Sequence, residues 1–180
     1  MPGRLLIVPI SADLRARPWT QWVTLACRLV LGVVLVWAGL AKVVDLEASV
    51  RSVRLYQLLP FEVTAVAGYA LPVLEIAVGL ALITGTFTRF AAIAGALFMV
   101  AFIIAIASVW ARGISIDCGC FGKGGEIAKE EALAAYPWEI ARDAGLLVTG
   151  VWAMVKPRSP FAVDEWLFRP VSNTDEEIPR

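Results

Sequence analysis

Four long apolar stretches constrain the fold of this chain more than any other feature. Each has about the twenty residues that a helix needs to cross a hydrocarbon core roughly 30 Å thick. In lipid such a stretch must be helical, because a helix satisfies its backbone hydrogen bonds within one segment. The sequence therefore predicts an all-α integral membrane protein built as a four-helix bundle. The stretches are Trp22 to Val44, Val63 to Thr84, Phe90 to Ala111 and Pro137 to Val155.

The composition agrees with a membrane protein and excludes several classes of function. Hydrophobic residues make up 59% of the 180 positions and charged residues 18%, so a soluble domain would lack the polar surface to cover itself. The net charge is zero, which gives no electrostatic attraction to phosphate, so membrane lipid is expected as a partner and nucleic acid is not. With no histidine and three cysteines, the chain alone is not expected to build a metal site.

The apolar stretches divide the chain into three predicted parts. Residues 1–21 form an N-terminal leader, 22–156 the four-helix domain with a loop at 112–136, and 157–180 a tail that lies on the surface. The first apolar run is too long for a cleaved signal peptide. Four spans place both termini on one side, and a small excess of Lys and Arg there predicts cytoplasmic termini in the plasma membrane. The loop is then extracytoplasmic.

A pair of thiols in that loop is the main candidate for chemistry. A disulfide between Cys118 and Cys120 needs the backbone bend that Gly119 allows. Strain in so small a ring raises the reduction potential, which favours exchange over a permanent bond. Asp117 adds a negative charge that disfavours the thiolate, whereas Lys123 or Arg112 would favour it, and the sequence leaves this balance open. Two reduced cysteines at a turn, or a soft-metal site shared with another chain, are the alternatives. The motif reads Cys118-Gly119-Cys120-Phe121-Gly122.

Ionisable residues inside the spans are the second candidate. Arg28 and Glu75 have opposite charge and similar predicted depth, so we expect them to pair. The other four residues are expected to gather at the end that carries the thiols. The set either consists of structural ion pairs or lines a polar cavity for a quinone head group or a proton relay; no other cofactor is predicted. Its members are Arg28, Lys42, Glu75, Glu139, Arg142 and Asp143.

Four further local predictions concern short segments of the chain. Helix formers between Gly124 and Tyr136 predict a short amphipathic helix on the membrane surface, and Pro137 fits the first turn of the fourth span. The short connection Gly85 to Arg89 predicts a tight hairpin between antiparallel neighbours. Cys27 is expected to pack in the core at the end opposite the thiol pair.

Several motifs spread along the chain carry a resemblance to known membrane proteins: Arg28, Gly32, Ala38 to Lys42, Leu71, Pro72, Glu75, Gly79, Gly85, Thr88, Arg89, the CGCFG motif, Arg142 and Asp143. With these residues the chain resembles the DoxX-like group of four-helix membrane proteins and, within it, the methylamine-utilisation MauE family. That resemblance implies a role in thiol–disulfide metabolism outside the cytoplasm, with a thioredoxin-like exported oxidoreductase as partner. The group is similar to the vitamin K epoxide reductase bundle, although the connector from Asp45 to Glu62 lacks a cysteine here.

These features predict a membrane protein whose Cys118–Cys120 disulfide exchanges with a partner's dithiol during the maturation of exported proteins. It would act as a thiol–disulfide oxidoreductase or an electron-transfer component. The alternative is a non-enzymatic assembly or scaffold subunit of a membrane complex, in which the disulfide is a fixed structural bond. Both functions are compatible with a homo-oligomer. A small transporter using Glu75 is a third possibility, for which four helices leave little room.

Overall fold

The computed structural model describes residues 18–117 and 125–164, and these form five α-helices and one pair of short strands. The residues Cys118, Gly119, Cys120, Phe121 and Gly122 lie outside the described ranges, as do the leader up to residue 17 and the tail beyond 164. The elements are α1 Pro18–Val43, α2 Leu46–Leu55, α3 Phe61–Thr84, α4 Thr88–Arg112, β1 Ile116–Asp117, β2 Gly125–Glu126 and α5 Lys129–Val155.

Three of the described helices are long and apolar enough to cross a membrane. They are Trp19–Val43, Phe61–Thr84 and Thr88–Arg112, with mean hydropathies of 2.2, 2.0 and 2.7. They coincide with the first three predicted spans, so the expectation of an all-α membrane protein is confirmed. The fourth predicted stretch lies in α5, which is not among the three and carries charged residues in its middle.

The start of α5 differs from the prediction. The helix begins at Lys129 and runs without a break through Pro137, so the separate surface helix and the first-turn proline are both wrong. The reason is tertiary packing. Ala132 and Tyr136 are 1% and 2% exposed and pack against Ile106 and Val109 of α4, which holds the first turns of α5 against that helix.

The first connector contains a helix that the sequence did not predict. The Asp45 side chain accepts a hydrogen bond from the backbone N–H of Ala48 at 2.8 Å and caps the start of α2. The buried face of α2 lies against Gly68 of α3, where an added Cβ would come within 2.6 Å of Val50 Cα. The Ser49 hydroxyl donates to the Gly68 carbonyl at 2.9 Å. This connector therefore packs against α3.

The long helices pack as neighbours through apolar contacts. Helix α1 contacts α3 and α5, and α4 contacts α5 and α3. A Cβ added at Gly79 would lie 2.7 Å from the Gly32 carbonyl oxygen, so this contact between α1 and α3 is close and sets their register. The buried core includes Leu31, Leu35 and Leu82. We call the end with β1, β2 and the start of α5 the loop end.

The opposite end, which we call the turn end, contains the connection between α3 and α4 and residues 156–164. Gly85 ends α3 with φ +75°, and α4 begins three residues later. The two helices are in contact, so the predicted hairpin between neighbours is confirmed. The prediction of a surface-lying tail is wrong for Ser159 and Ala162, which are 0% and 6% exposed. This part of the tail therefore packs against the helices at the turn end.

Candidate functional site

Lys42 and Glu75 form a buried ion pair between α1 and α3. The ammonium Nζ of Lys42 lies 2.7 and 2.9 Å from the two carboxylate oxygens of Glu75. The Glu75 side chain is fully buried and that of Lys42 is 11% exposed. The Phe102 ring of α4 lies 5.5 Å from the same ammonium. A carboxylate and an aromatic face thus stabilise one cation away from water.

A second ion pair on α5 lies beside the first. Both Nε and Nη2 of Arg142 lie 2.9 Å from Oδ1 of Asp143, which is 2% exposed. The other oxygen, Oδ2, is buried and has no hydrogen-bond partner among the described residues. The charge of Lys42 also acts on Asp143. Helices α1, α3 and α5 therefore bring Lys42, Glu75, Arg142 and Asp143 together in one set, which we call the charged cluster.

Glu139 lies one helical turn before Asp143 on α5, and its Oε2 is buried. Counted with the cluster, it makes three carboxylates beside two cations. Such a set can hold a polar group or a proton inside an otherwise apolar interior. Among the described residues, no group of three or more Cys, Asp, Glu or His side chains is placed to hold a metal ion.

Arg28 lies far from this cluster, so the predicted pair of Arg28 and Glu75 is wrong. Its Nη1 donates to the Ser159 hydroxyl at 2.5 Å and its Nη2 to the Ile83 carbonyl at 3.2 Å, both at the turn end. Ile83 follows Glu75 by eight residues, or about 12 Å along the helix.

The direction of helical side chains explains this outcome. A long side chain leans toward the N-terminus of its own helix. The N-terminus of α1 is at the turn end, so Arg28 extends away from Glu75 while Lys42, nearer the loop end, extends toward it. The contact of Gly32 with Gly79 fixes the depth at which this happens. Cys27 is half-buried beside Arg28 at the turn end.

The loop end holds both ends of the segment that carries the thiols. Strands β1 and β2 pair antiparallel, with Asp117 opposite Gly125. The Tyr136 hydroxyl accepts from the Ile116 N–H at 3.0 Å and donates to the Ile114 carbonyl at 2.8 Å. Since paired residues in a ladder lie about 5 Å apart, the chain leaves and returns at one place. The cysteines themselves are outside the described residues, and their disulfide stays a prediction.

One face of α5 extends from the paired strands β1 and β2 to the charged cluster. Tyr136 and Asp143 are seven residues apart, two turns along the same face, which corresponds to about 10 Å. The sequence analysis used Tyr136 only as the end of the predicted surface helix and named no partner for Ser159. The feature of the sequence that identifies Tyr136 as a buried residue is its spacing from Ala132 and Asp143. Helical spacing places all three residues on the buried face of α5. Nothing in the sequence around Ser159 marks it as a partner of Arg28.

Comparison with known proteins gives one family. A sequence model of the family described as methylamine utilisation protein MauE matches residues 20–156. The chain is also 35% identical over 114 residues to the methylamine utilization protein MauE of Paracoccus denitrificans. That alignment covers 63% of this chain and 60% of the relative, so the chain spans about three fifths of the relative's length. No solved structure matches the chain.

Proposed function

Since this chain belongs to the methylamine utilisation protein MauE family, we propose that it is a multi-pass membrane protein of thiol–disulfide metabolism in methylamine utilisation. The active group is the Cys118–Cys120 disulfide, and the partner is an exported oxidoreductase of thioredoxin type. The exchange supports the maturation of disulfide-containing exported proteins.

The observation that supports the proposal is that the two ends of the segment with the thiols are held together. The ladder between Asp117 and Gly125, fastened by the buried Tyr136, holds the two ends of a seven-residue segment together at the loop end. A segment closed in this way costs little further entropy when its cysteines meet, which supports a small disulfide ring. It also supports presentation of the ring at one defined place on the membrane surface.

The exchange moves two electrons. A thiolate of the partner attacks one sulfur, a mixed disulfide forms, and the other cysteine leaves as a thiolate. The partner's second thiolate then attacks the mixed disulfide, which releases the first cysteine. The partner leaves oxidised, and the protons of its two thiols end on Cys118 and Cys120. We propose Cys120 as the sulfur attacked first.

A quinone is the candidate acceptor that would reoxidise the pair by taking two electrons and two protons. The buried Oδ2 of Asp143, which has no partner in the described chain, suits a hydroxyl donor of a reduced ring. Lys42 uses two of its three N–H donors on Glu75. The third is available to an oxygen acceptor on the ring.

The number of membrane spans and their orientation are part of the same proposal. Helix α5 is the fourth span of a DoxX-like four-helix bundle, with Asp143 buried among the neighbouring helices and away from lipid. The termini are cytoplasmic and the thiol segment is extracytoplasmic. A membrane-impermeant maleimide should then label reduced Cys118 or Cys120 in intact cells and spare Cys27. Labelling of the pair only after permeabilisation would reverse this orientation.

Trapping tests the exchange. The variants Cys118→Ser and Cys120→Ser should insert normally, lose turnover, and capture a partner as a mixed disulfide on non-reducing gels. Cys27→Ser is the matched control, because it lies at the opposite end. If the wild-type bond stays closed at a thioredoxin-like potential of about −270 mV and neither variant captures a partner, the bond is structural. The scaffold function in a membrane complex then replaces the exchange.

A further inference from the structure

A groove at the turn end takes no part in the proposed redox function. Its volume is about 460 Å³, and it lies between the first turn of α4 and the segment that follows α5. On one side it is lined by Phe87, Thr88, Arg89 and Phe90, and on the other chiefly by Pro157 and Arg158. The groove thus exists because residues 157–164 pack beneath α4.

The groove presents hydrogen-bond donors, and its carboxylate is already engaged. Asp164, the acidic residue in the lining, accepts the backbone N–H groups of Phe87 and Thr88 at 2.7 and 2.8 Å. Its charge is stabilised by the N-terminus of α4. The guanidinium groups of Arg89 and Arg158 supply two positive charges. Among the described residues that line the groove, the net charge is therefore positive.

A buried hydroxyl gives an independent indication of a ligand. Thr88 is 2% exposed and lines the groove, and its Oγ1 has no hydrogen-bond partner among the described residues. A buried hydroxyl without a partner is costly. An acceptor oxygen in the groove would remove that cost, since the hydroxyl can rotate to donate.

The position of the groove limits what can fill it. It lies beside the end of α3 and the start of α4, two of the helices that can span a membrane. Phe87 and Phe90 are 65% and 71% exposed at the same place, as expected for aromatic rings at the level of lipid head groups. Positive charge beside exposed apolar surface at this depth complements the phosphate and upper acyl chain of an anionic lipid.

We propose that this groove is a binding site for an anionic phospholipid. Arg89 and Arg158 bind the phosphate, the Thr88 hydroxyl donates to one of its oxygens, and Phe87 and Phe90 contact the glycerol and the first acyl carbons. The backbone amides at the start of α4 take no part, because Asp164 occupies them. The proposal does not depend on the chemistry of the thiol pair.

Lipid titration tests the site on the full-length protein in detergent micelles. Native mass spectrometry should show retention of phosphatidylglycerol in preference to phosphatidylcholine. Arg89→Gln combined with Arg158→Gln should weaken phosphatidylglycerol retention about tenfold or more, as expected when charge-assisted bonds are lost. Thr88→Val, which keeps the shape of the side chain, should weaken it several-fold. Arg51→Gln is the control, because Arg51 has a 62% exposed side chain at the loop end and should leave retention unchanged.

Three results would overturn the proposal. One is equal retention of the two lipids by the wild type; another is unchanged selectivity in the double arginine variant. The third is displacement of phosphatidylglycerol by millimolar inorganic phosphate, which would identify a free phosphate site instead. If the double variant does not fold, Thr88→Val and the single variant Arg89→Gln decide the question, and unchanged selectivity in both also overturns the proposal.

Discussion

The two ends of the molecule stabilise buried cations in different ways. At the loop end, Lys42 is neutralised by a carboxylate from a neighbouring helix, and Arg142 by the residue next to it. At the turn end, Arg28 donates to a hydroxyl and to a backbone carbonyl, both neutral acceptors. One acceptor, Ser159, comes from the segment after α5. The loop end thus contains an ion pair between α1 and α3, while at the turn end the docked tail supplies one acceptor to the buried cation.

This difference predicts different consequences of mutation. Removing a charge at the loop end leaves its partner charge buried, whereas removing a neutral acceptor at the turn end loses one hydrogen bond. The first effect should spread through α1, α3 and α5. The second should remain near the tail and the start of α4.

The largest expected effect is that of Glu75→Gln, which leaves the Lys42 ammonium without its carboxylate. We expect a loss of about 3–5 kcal/mol in unfolding free energy, measured by denaturation in detergent, and low accumulation in the membrane. Adding Lys42→Met should recover part of that loss. Glu75→Gln combined with Arg28→Gln should instead be additive, because these residues are not partners. Recovery in that second combination would contradict the observed pairing.

Ser159→Ala should have the next largest effect. It removes an acceptor from the buried Arg28, at a cost of about 2 kcal/mol, within the range for hydrogen bonds to charged groups. Limited proteolysis near Lys156 and Arg158 should become faster while cleavage at the loop end stays the same. Ser108→Ala is the matched control, since its hydroxyl bonds the guanidinium of Arg112 at an exposed site. If the two substitutions have equal effects, the Ser159 hydroxyl does not stabilise the docking of the tail at the turn end.

Tyr136→Phe tests the base of the thiol segment. It removes the hydroxyl shared by the backbone of Ile114 and Ile116, and we expect a loss of about 1.5 kcal/mol. Hydrogen exchange at the Ile116 amide should accelerate with little change in the core of α1 and α3. Tyr69→Phe serves as control, because its hydroxyl bonds Glu47 at an exposed site. If exchange at Ile116 is unchanged, Tyr136 does not hold the ladder.

The smallest effect should come from the helix caps at the two ends. Asp164→Ala removes the carboxylate that accepts the first N–H groups of α4, and Asp45→Ala removes the cap of α2. Each should cost about 1 kcal/mol of unfolding free energy. Only Asp164→Ala should also increase proteolysis of residues 157–164, because its cap joins the tail to another helix. A similar increase with Asp45→Ala would show that tail docking is not local to the turn end.

The sequence by itself determined the membrane class, three of the spans and the α3–α4 hairpin. These features depend on local properties: the length of an apolar run, the intrahelical satisfaction of the backbone, and a connection of a few residues around Gly85. The family was also recognisable from residues in order along the chain, among them the CGCFG motif and Arg142 with Asp143.

Only the tertiary structure decided which charges meet. Arg28 and Lys42 lie on the same helix and carry the same charge, so composition could not choose between them as the partner of Glu75, and the predicted depth chose Arg28 wrongly. The choice depends on the register set by the contact of Gly32 with Gly79 and on the lean of side chains toward the start of α1. The docking of Ser159 and the early start of α5 at Lys129 have the same origin, because each is stabilised by contacts between residues distant in sequence.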